Sequence, residues 1–241
     1  EQCEGVSDTC TDFCTAPQCG DGFVSVGEGC DDGNRQDGDD CDASCQVSIC
    51  GDGIVASDER CDDKDPELGD GCTPGCERDA RFVFVSSGTF QAGALGGLQG
   101  ADDHCQSLAE KAGLLGRYRA WLGDADASPA TRFTKSDLPY ILPASQLGTG
   151  ILVAEDWVDL VDGALLHPIQ VTEKGELLLV GESCVSADVL AWTHTSATAG
   201  PPGSDGDCGG WKFNTGVGDA GLVNNAGPGW TEGCAQVSCA K

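Results

Sequence analysis

Cys19-Gly20-Asp21-Gly22, followed by Glu28-Gly29-Cys30-Asp31-Asp32-Gly33-Asn34, returns 31 residues later as Cys50-Gly51-Asp52-Gly53, followed by Glu59-Arg60-Cys61-Asp62-Asp63. The register then holds through Gly38-Asp39 and Gly69-Asp70, and through Cys41 and Cys45 against Cys72 and Cys76. Four cysteines and several acids repeating at fixed offsets mark two copies of one small unit, residues 19–45 and 50–76. Residues 3–14 form a partial copy: Cys10 and Cys14 reproduce the closing pair, Asp8 falls in register, and the opening Cys-Gly-Asp-Gly is missing.

Each unit has too few apolar residues for a core, so it needs covalent or metal staples. Cysteines are the evident staple. The acids suggest a second. Asp31, Asp32, Asn34, Asp37 and Asp39 in the first copy, and Asp62, Asp63, Asp65 and Asp70 in the second, crowd oxygen-bearing side chains into a short loop. Hard oxygen ligands on a Gly-containing loop suit structural Ca2+. The spacing is not that of an EF-hand, since no Glu closes the loop. The alternative is a solvated acidic loop that keeps the protein in solution. The pattern resembles the myxobacterial-type cysteine-rich repeat over about residues 1–77. The second copy departs from that pattern at Lys64-Asp65, where the family has Gly-Asn. The resemblance implies a secreted or surface protein.

Outward from the repeats, composition agrees. The 241 residues include 16 Cys and no Met. Glu1 is therefore expected to follow a removed secretory signal peptide. Cysteine-dense chains of that compartment form disulfides, and no Cys-x-x-Cys is present to favour zinc. The formal net charge is −27, with 22 acidic and 4 basic side chains in residues 1–80 and 18 against 9 in residues 81–241. Such a surface repels phosphate backbones and anionic membranes, which excludes nucleic acid as a partner. No apolar run is long enough to insert in a membrane.

Residues 79–241 read as a second, larger domain after the array of residues 1–78. Phe82-Val83-Phe84-Val85 predicts a buried strand. Ala101 to Ala112 predicts a helix, because Ala101, Cys105, Leu108, Ala109 and Ala112 share one face. Gly113 is the expected stop. Strands are predicted at Tyr118–Leu122, Gly150–Ala154, Leu177–Val180 and Leu190–Thr195, and a helical turn at Asp156–Leu160. The fold class is α+β, with one main helix, several strands and long loops.

Gly97-Leu98-Gln99-Gly100-Ala101-Asp102 with Cys105, Tyr118-Arg119-Ala120-Trp121-Leu122, Ser128-Pro129-Ala130-Thr131-Arg132, Cys208-Gly209-Gly210-Trp211 and Trp230-Thr231 with Cys234 carry a resemblance to the bacterial endostatin-like, C-type-lectin-like domain. That resemblance implies nested disulfides, Cys105 with Cys239 and Cys208 with Cys234, with Cys184 left over. The cysteine counts of the two halves, 11 and 5, are both odd. Full pairing then requires a link between them, and Cys184 is expected to bond Cys3 or Cys76. Free thiols and interchain bridges remain alternatives. The calcium-dependent sugar-binding triplets of C-type lectins are absent. If a ligand site exists, the loop bearing Asp205, Asp207 and Trp211, with Trp230 nearby, is its expected place; the alternative is that both tryptophans pack the core.

No His-Glu-x-x-His, Gly-x-Ser-x-Gly or phosphate loop occurs, and the three histidines, His104, His167 and His194, sit in no catalytic motif. The expected function is non-enzymatic: a secreted or cell-surface binding or adhesion protein. Its expected partner is an extracellular glycan or protein ligand, or copies of itself. The alternative is a structural subunit of an extracellular filament or coat, which the incomplete first repeat and the dense cross-linking suggest.

Overall fold

A computed structural model describes residues 18–37, 39, 41–47, 49–56, 59–62, 64, 68–179, 184, 190–201 and 206–240. The chain divides into two compact units, residues 1–79 and 80–241.

In the first unit the two repeats fold the same way. Cys19 bonds Cys45 and Cys30 bonds Cys41; Cys50 bonds Cys76 and Cys61 bonds Cys72. The outer pair spans 26 residues and the inner pair 11 in both copies. Among the described residues this unit holds turns and one isolated bridge, Cys41 to Val47, rather than ladders. Its buried interior consists chiefly of the cystines themselves: Cys41, Cys45, Cys61, Cys72 and Cys76 are all nearly inaccessible. The partial copy at residues 3–14 lies outside the described residues.

The second unit mixes small sheets and helices. Strand β1 (Arg81–Phe82) pairs parallel with β2 (Tyr140–Ile141), and β2 pairs antiparallel with β3 (Leu152–Ala154). A second antiparallel sheet is ordered β4 (Ala191–Trp192), β5 (Val217–Gly221), β6 (Cys234–Ser238). Helices are α1 (Gly97–Lys111), α2 (Pro129–Arg132), α3 (Trp157–Leu160), α4 (Cys208–Trp211) and α5 (Gly229–Glu232).

Helix α1 buries Ala101 and Ala109 on its apolar face and stops before Gly113, which takes a left-handed φ of 75°. It starts four residues earlier than predicted. Gly97 and Gly100 are poor helix formers, but Gly100 lets the Leu95 carbonyl approach to where a Cβ would sit 2.2 Å away. Asp156 caps α3 by accepting from Asp159 N–H at 2.9 Å.

The segment 118–122 joins no ladder, contrary to the predicted strand. Side chains satisfy its backbone instead. Gln106 accepts from Tyr118 N–H, Asp102 from Ala120 N–H, and Arg132 donates to the carbonyls of Ala120 and Leu122. Strands β2, β5 and β6 went unpredicted. Val217-Gly218-Asp219-Ala220-Gly221 carries residues depleted in strands, and it pairs because its neighbours on both sides are fixed by disulfides and packing.

Three apolar clusters make the interior. One gathers Trp121, Phe133, Trp157 and Trp230 around Val153, Leu160 and Val171. A second packs α1 and Ala120–Leu122 against Trp211 and Cys208. A third joins Leu222 and Cys234 to Cys184 and Val237.

The disulfides of this unit differ from the expected pairing. Cys208 bonds Cys239 and Cys184 bonds Cys234, while Cys105 is a free thiol. Cys184 therefore needs no partner in the repeats, and Cys76 is already bonded to Cys50. Strand β6 explains the exchange. Its pairing with β5 places Cys234 at the Ala220 end and carries Cys239 past Val217 to the Cys208 side. No sequence spacing encodes that register.

Candidate functional site

The repeated Gly-Asp-Gly turn is an anion cradle. The Asp31 carboxylate accepts from the N–H groups of Gly20 at 2.8 Å, Asp21 at 3.2 Å, Gly22 at 2.7 Å and Gly33 at 2.9 Å. Asp62 does the same in the second copy with Gly51, Asp52, Gly53 and Lys64, at 2.7–3.0 Å. Successive N–H groups point into one concavity only when the flanking residues turn left-handed. Gly20 and Gly22 both have φ of 85°, which is why the motif requires glycine there. Partial burial alone would raise the Asp31 carboxyl, but the hydrogen bonds from Gly33, Gly22, Gly20 and Asp21 outweigh it and hold the group below its ordinary value.

This arrangement divides the predicted ion-binding set. Asp31 and Asp62 face the cradle. Asn34 donates its side-chain amide to Asp39 at 3.1 Å and its backbone N–H to Asp32 at 3.1 Å. The Asn34 amide is the leading cause that holds the Asp39 carboxyl below its ordinary value. Asp37 turns away and accepts from Ala43 N–H at 2.9 Å. In the second copy Asp63 and Asp65 lie outside the described residues, and Asp70 is placed with one buried carboxylate oxygen.

A different cluster in each copy could hold a metal ion. Ligand atoms of Glu28, Asp31 and Cys45, and of Glu59, Asp62 and Cys76, lie within 4.8 Å of one another. Both sulfurs are locked in cystines, so only the carboxylates offer ligand chemistry. Glu28 and Glu59 are absent from the predicted set. Their shared repeat register was the available signal, although no motif assigned them a role. Glu28 also accepts from the Ser25 N–H and hydroxyl, and Glu59 from Ala56 N–H, so each carboxylate already has a structural task.

In the second unit a cavity of about 340 Å³ opens where the three apolar clusters meet. Phe84, Phe90, Trp121, Leu122, Trp192 and Trp230 are among the residues that line it, and α1 adds Cys105 and Leu108. Thr89 is exposed whereas Leu122 and Ala101 are buried, so the cavity runs from the surface into the interior.

Of the loop expected to bind ligand, residues 206–211 are described. Trp211 is fully buried and donates its indole N–H to the Gly123 carbonyl at 2.7 Å. Asp207 caps the short α4 by accepting from Gly209 N–H. Asp205 lies outside the described residues. Trp230 is the member of that set that lines the cavity.

Cys105 stands in the cavity wall as a neutral thiol. Burial pushes it up to about 12, the Asp102 charge adds to that, and Arg132 opposes it. At pH 8 only about one molecule in 10⁴ carries the thiolate. Alkylation of Cys105 by iodoacetamide at pH 8 is therefore expected to run at least about 100-fold slower in the native protein than after denaturation. Peptide mapping of timed samples reads this out, and equal rates would contradict the burial.

His194 and Asp219 form a buried pair, Nδ1 to Oδ2 at 2.9 Å, which the sequence did not disclose because 25 residues separate them. Asp219 also accepts from Gln236 N–H. Among the described residues no hydroxyl or thiol hydrogen-bonds the other ring nitrogen of His194. The pair's visible work is to join β4, β5 and β6.

No curated protein matches the chain. Residues 1–46 and 42–77 are similar to a family described as a domain of unknown function, DUF4215, a likeness confined to the cysteine-rich repeats.

Proposed function

We propose that this is a secreted or cell-surface binding protein without a catalytic step, in which the acidic, cystine-stapled repeats carry a recognition unit. The observation that carries this reading is the cavity. Protein interiors close-pack and leave few voids larger than a water, so about 340 Å³ of largely apolar, solvent-connected space is a feature that requires explanation. Its size falls within the ordinary range of small-molecule sites. Seating a small extracellular molecule is what that shape does, and adhesion through the repeats would place it.

A thermal-shift screen of small neutral and charged compounds against the intact oxidised chain tests the reading. A ligand at about 100 times its Kd adds about 2.7 kcal/mol of stability. Hits that raise the tryptophan unfolding midpoint and are recovered unchanged support binding without turnover. A screen with no hit, or with a consumed compound, overturns it.

Calcium is the ion we propose for the repeats, with Asp32, Asn34 and Asp39 as the converging group in the first copy. Calcium at 2 mM (about the level outside cells) is expected to protect the first unit from proteolysis relative to a chelator. Superimposable digestion patterns would show that the cystines and carboxylate cradles suffice.

A further inference from the structure

We infer that Asp162–Gly163 is a self-modification site, at which the native chain forms a succinimide and then isoaspartate, while the Asp–Gly bonds of the repeats are protected by the carboxylates that hold their glycine amides. Asp–Gly is the dipeptide most prone to this rearrangement, because glycine has no Cβ to shield its own nitrogen. The chain contains seven such bonds. Two of them include Gly38 or Asp205, which lie outside the described residues. The bonds after Asp21, Asp32, Asp52, Asp70 and Asp162 remain for comparison.

The chemistry needs water alone as co-reactant. The glycine nitrogen attacks Cγ of the neutral Asp carboxyl. The carboxyl hydroxyl leaves with the amide proton as water, and a five-membered imide closes. Water then adds back to the imide. Opening at the former main-chain carbonyl leaves the backbone running through the side-chain carbon, which is isoaspartate.

Four of these bonds hold the attacking nitrogen elsewhere. Gly22 and Gly33 donate their N–H groups to Asp31 at 2.7 and 2.9 Å, Gly53 donates to Asp62 at 2.9 Å, and Gly71 to Asp79 at 3.0 Å. Each nitrogen would have to give up a charge-assisted hydrogen bond, then lose its proton beside a second negative charge. The carboxyl under attack is tethered too. Asp21 accepts from the N–H groups of Gln18 and Phe23, and Asp52 from those of Ile49 and Ile54.

Asp162–Gly163 lacks that protection. Among the described residues the Gly163 N–H has no acceptor. Asp162 is exposed and accepts from the Ala164 N–H at 2.9 Å. A Cβ placed on Gly163 would meet only the Ala197 methyl, at 3.9 Å, so the turn has room to rearrange. The extra backbone carbon would enter just before Leu165, which packs in the cluster of Trp157 and Leu160 and donates its N–H to the Ala226 carbonyl.

Timed incubation of the intact oxidised chain at body temperature in mildly acid buffer tests this, with peptide mapping by electron-transfer fragmentation to count isoaspartate at each bond. Product is expected at Asp162 at least about tenfold faster than at Asp21, Asp32, Asp52 or Asp70, the factor for breaking one charge-assisted hydrogen bond. After reduction and denaturation the five rates are expected to converge. Asp162→Glu keeps the charge but would have to close a six-membered ring, and is expected to remove the product at that position. Asp79→Ala frees the Gly71 N–H and is expected to raise the rate at Asp70 about tenfold while leaving Asp52 unchanged. A native rate at Asp162 equal to or below those of the repeats would overturn the site. An Asp70 rate unmoved by Asp79→Ala would overturn protection by the carboxylates. Should Asp52 rise as well, the repeat has opened, and the denatured chain decides: a lag of the four repeat bonds that persists there overturns the protection.

Discussion

Arg132→Met is expected to destabilise the second unit by about 3–5 kcal/mol, the usual result of removing one member of a buried charge pair. Arg132 Nη2 meets Asp102 Oδ1 at 2.5 Å, and the two side chains are only 10% and 15% exposed. The other guanidinium nitrogen donates to the carbonyls of Leu122 at 2.6 Å and Ala120 at 3.1 Å. Arg119 in turn donates to the Arg132 carbonyl. One side chain therefore ties α1, α2 and the unpaired segment 118–122 together, and the segment has no ladder to replace those bonds. In the variant, the Asp102 carboxylate keeps the Ala120 N–H but loses its counter-charge. All five tryptophans lie in residues 80–241, so their fluorescence during denaturation follows this unit alone. Asp102→Asn should cost less when combined with Arg132→Met than when made alone. A loss below about 1 kcal/mol for Arg132→Met would mean the pair is solvated like a surface bridge.

The double variant Cys208→Ala, Cys239→Ala is expected to cost about 4 kcal/mol. The bridge closes a loop of 31 residues, and constraining the unfolded chain by that amount is worth nearly 4 kcal/mol at 25 °C. Both half-cystines are almost wholly buried, packed with Trp211 and Trp192, so the lost sulfur contacts add to the entropic effect. A distinct consequence follows for Trp211, whose indole N–H is held by the Gly123 carbonyl. Loosening α4 should shift its emission to the red before global unfolding. Differential scanning calorimetry together with tryptophan emission reads both effects. An unchanged melting temperature would show that the hydrogen bonds of β5 and β6 hold the chain terminus without the bridge.

Several features of the fold were legible in the residues. The repeat register and the presence of disulfide staples followed from cysteines and acids at constant offsets, though not which cysteines pair, and helix α1 followed from one apolar face ended by Gly113. Cys-Gly-Asp-Gly stands out in the sequence, and Asp31 and Asp62 are among the acids that the spacing assigns to an ion. The structure shows why the glycines recur: their left-handed turns aim N–H groups at Asp31 and Asp62. Spacing alone cannot separate a carboxylate that binds calcium from one that binds backbone amides, since both require oxygens on a Gly-containing loop.

The disulfide pairing of the second unit depended on the register of β5 and β6, a long-range choice with no local signature. The cavity depended on three clusters failing to close against each other, which no single segment records. The sequence by itself determined the local, short-period features of this protein: a stapled repeat, one amphipathic helix, an acidic surface and an α+β class. These rest on neighbours within about thirty residues. Only the tertiary structure decided which cysteines meet, which strands pair and where the interior stays open, because those outcomes come from packing surfaces brought together from across the chain.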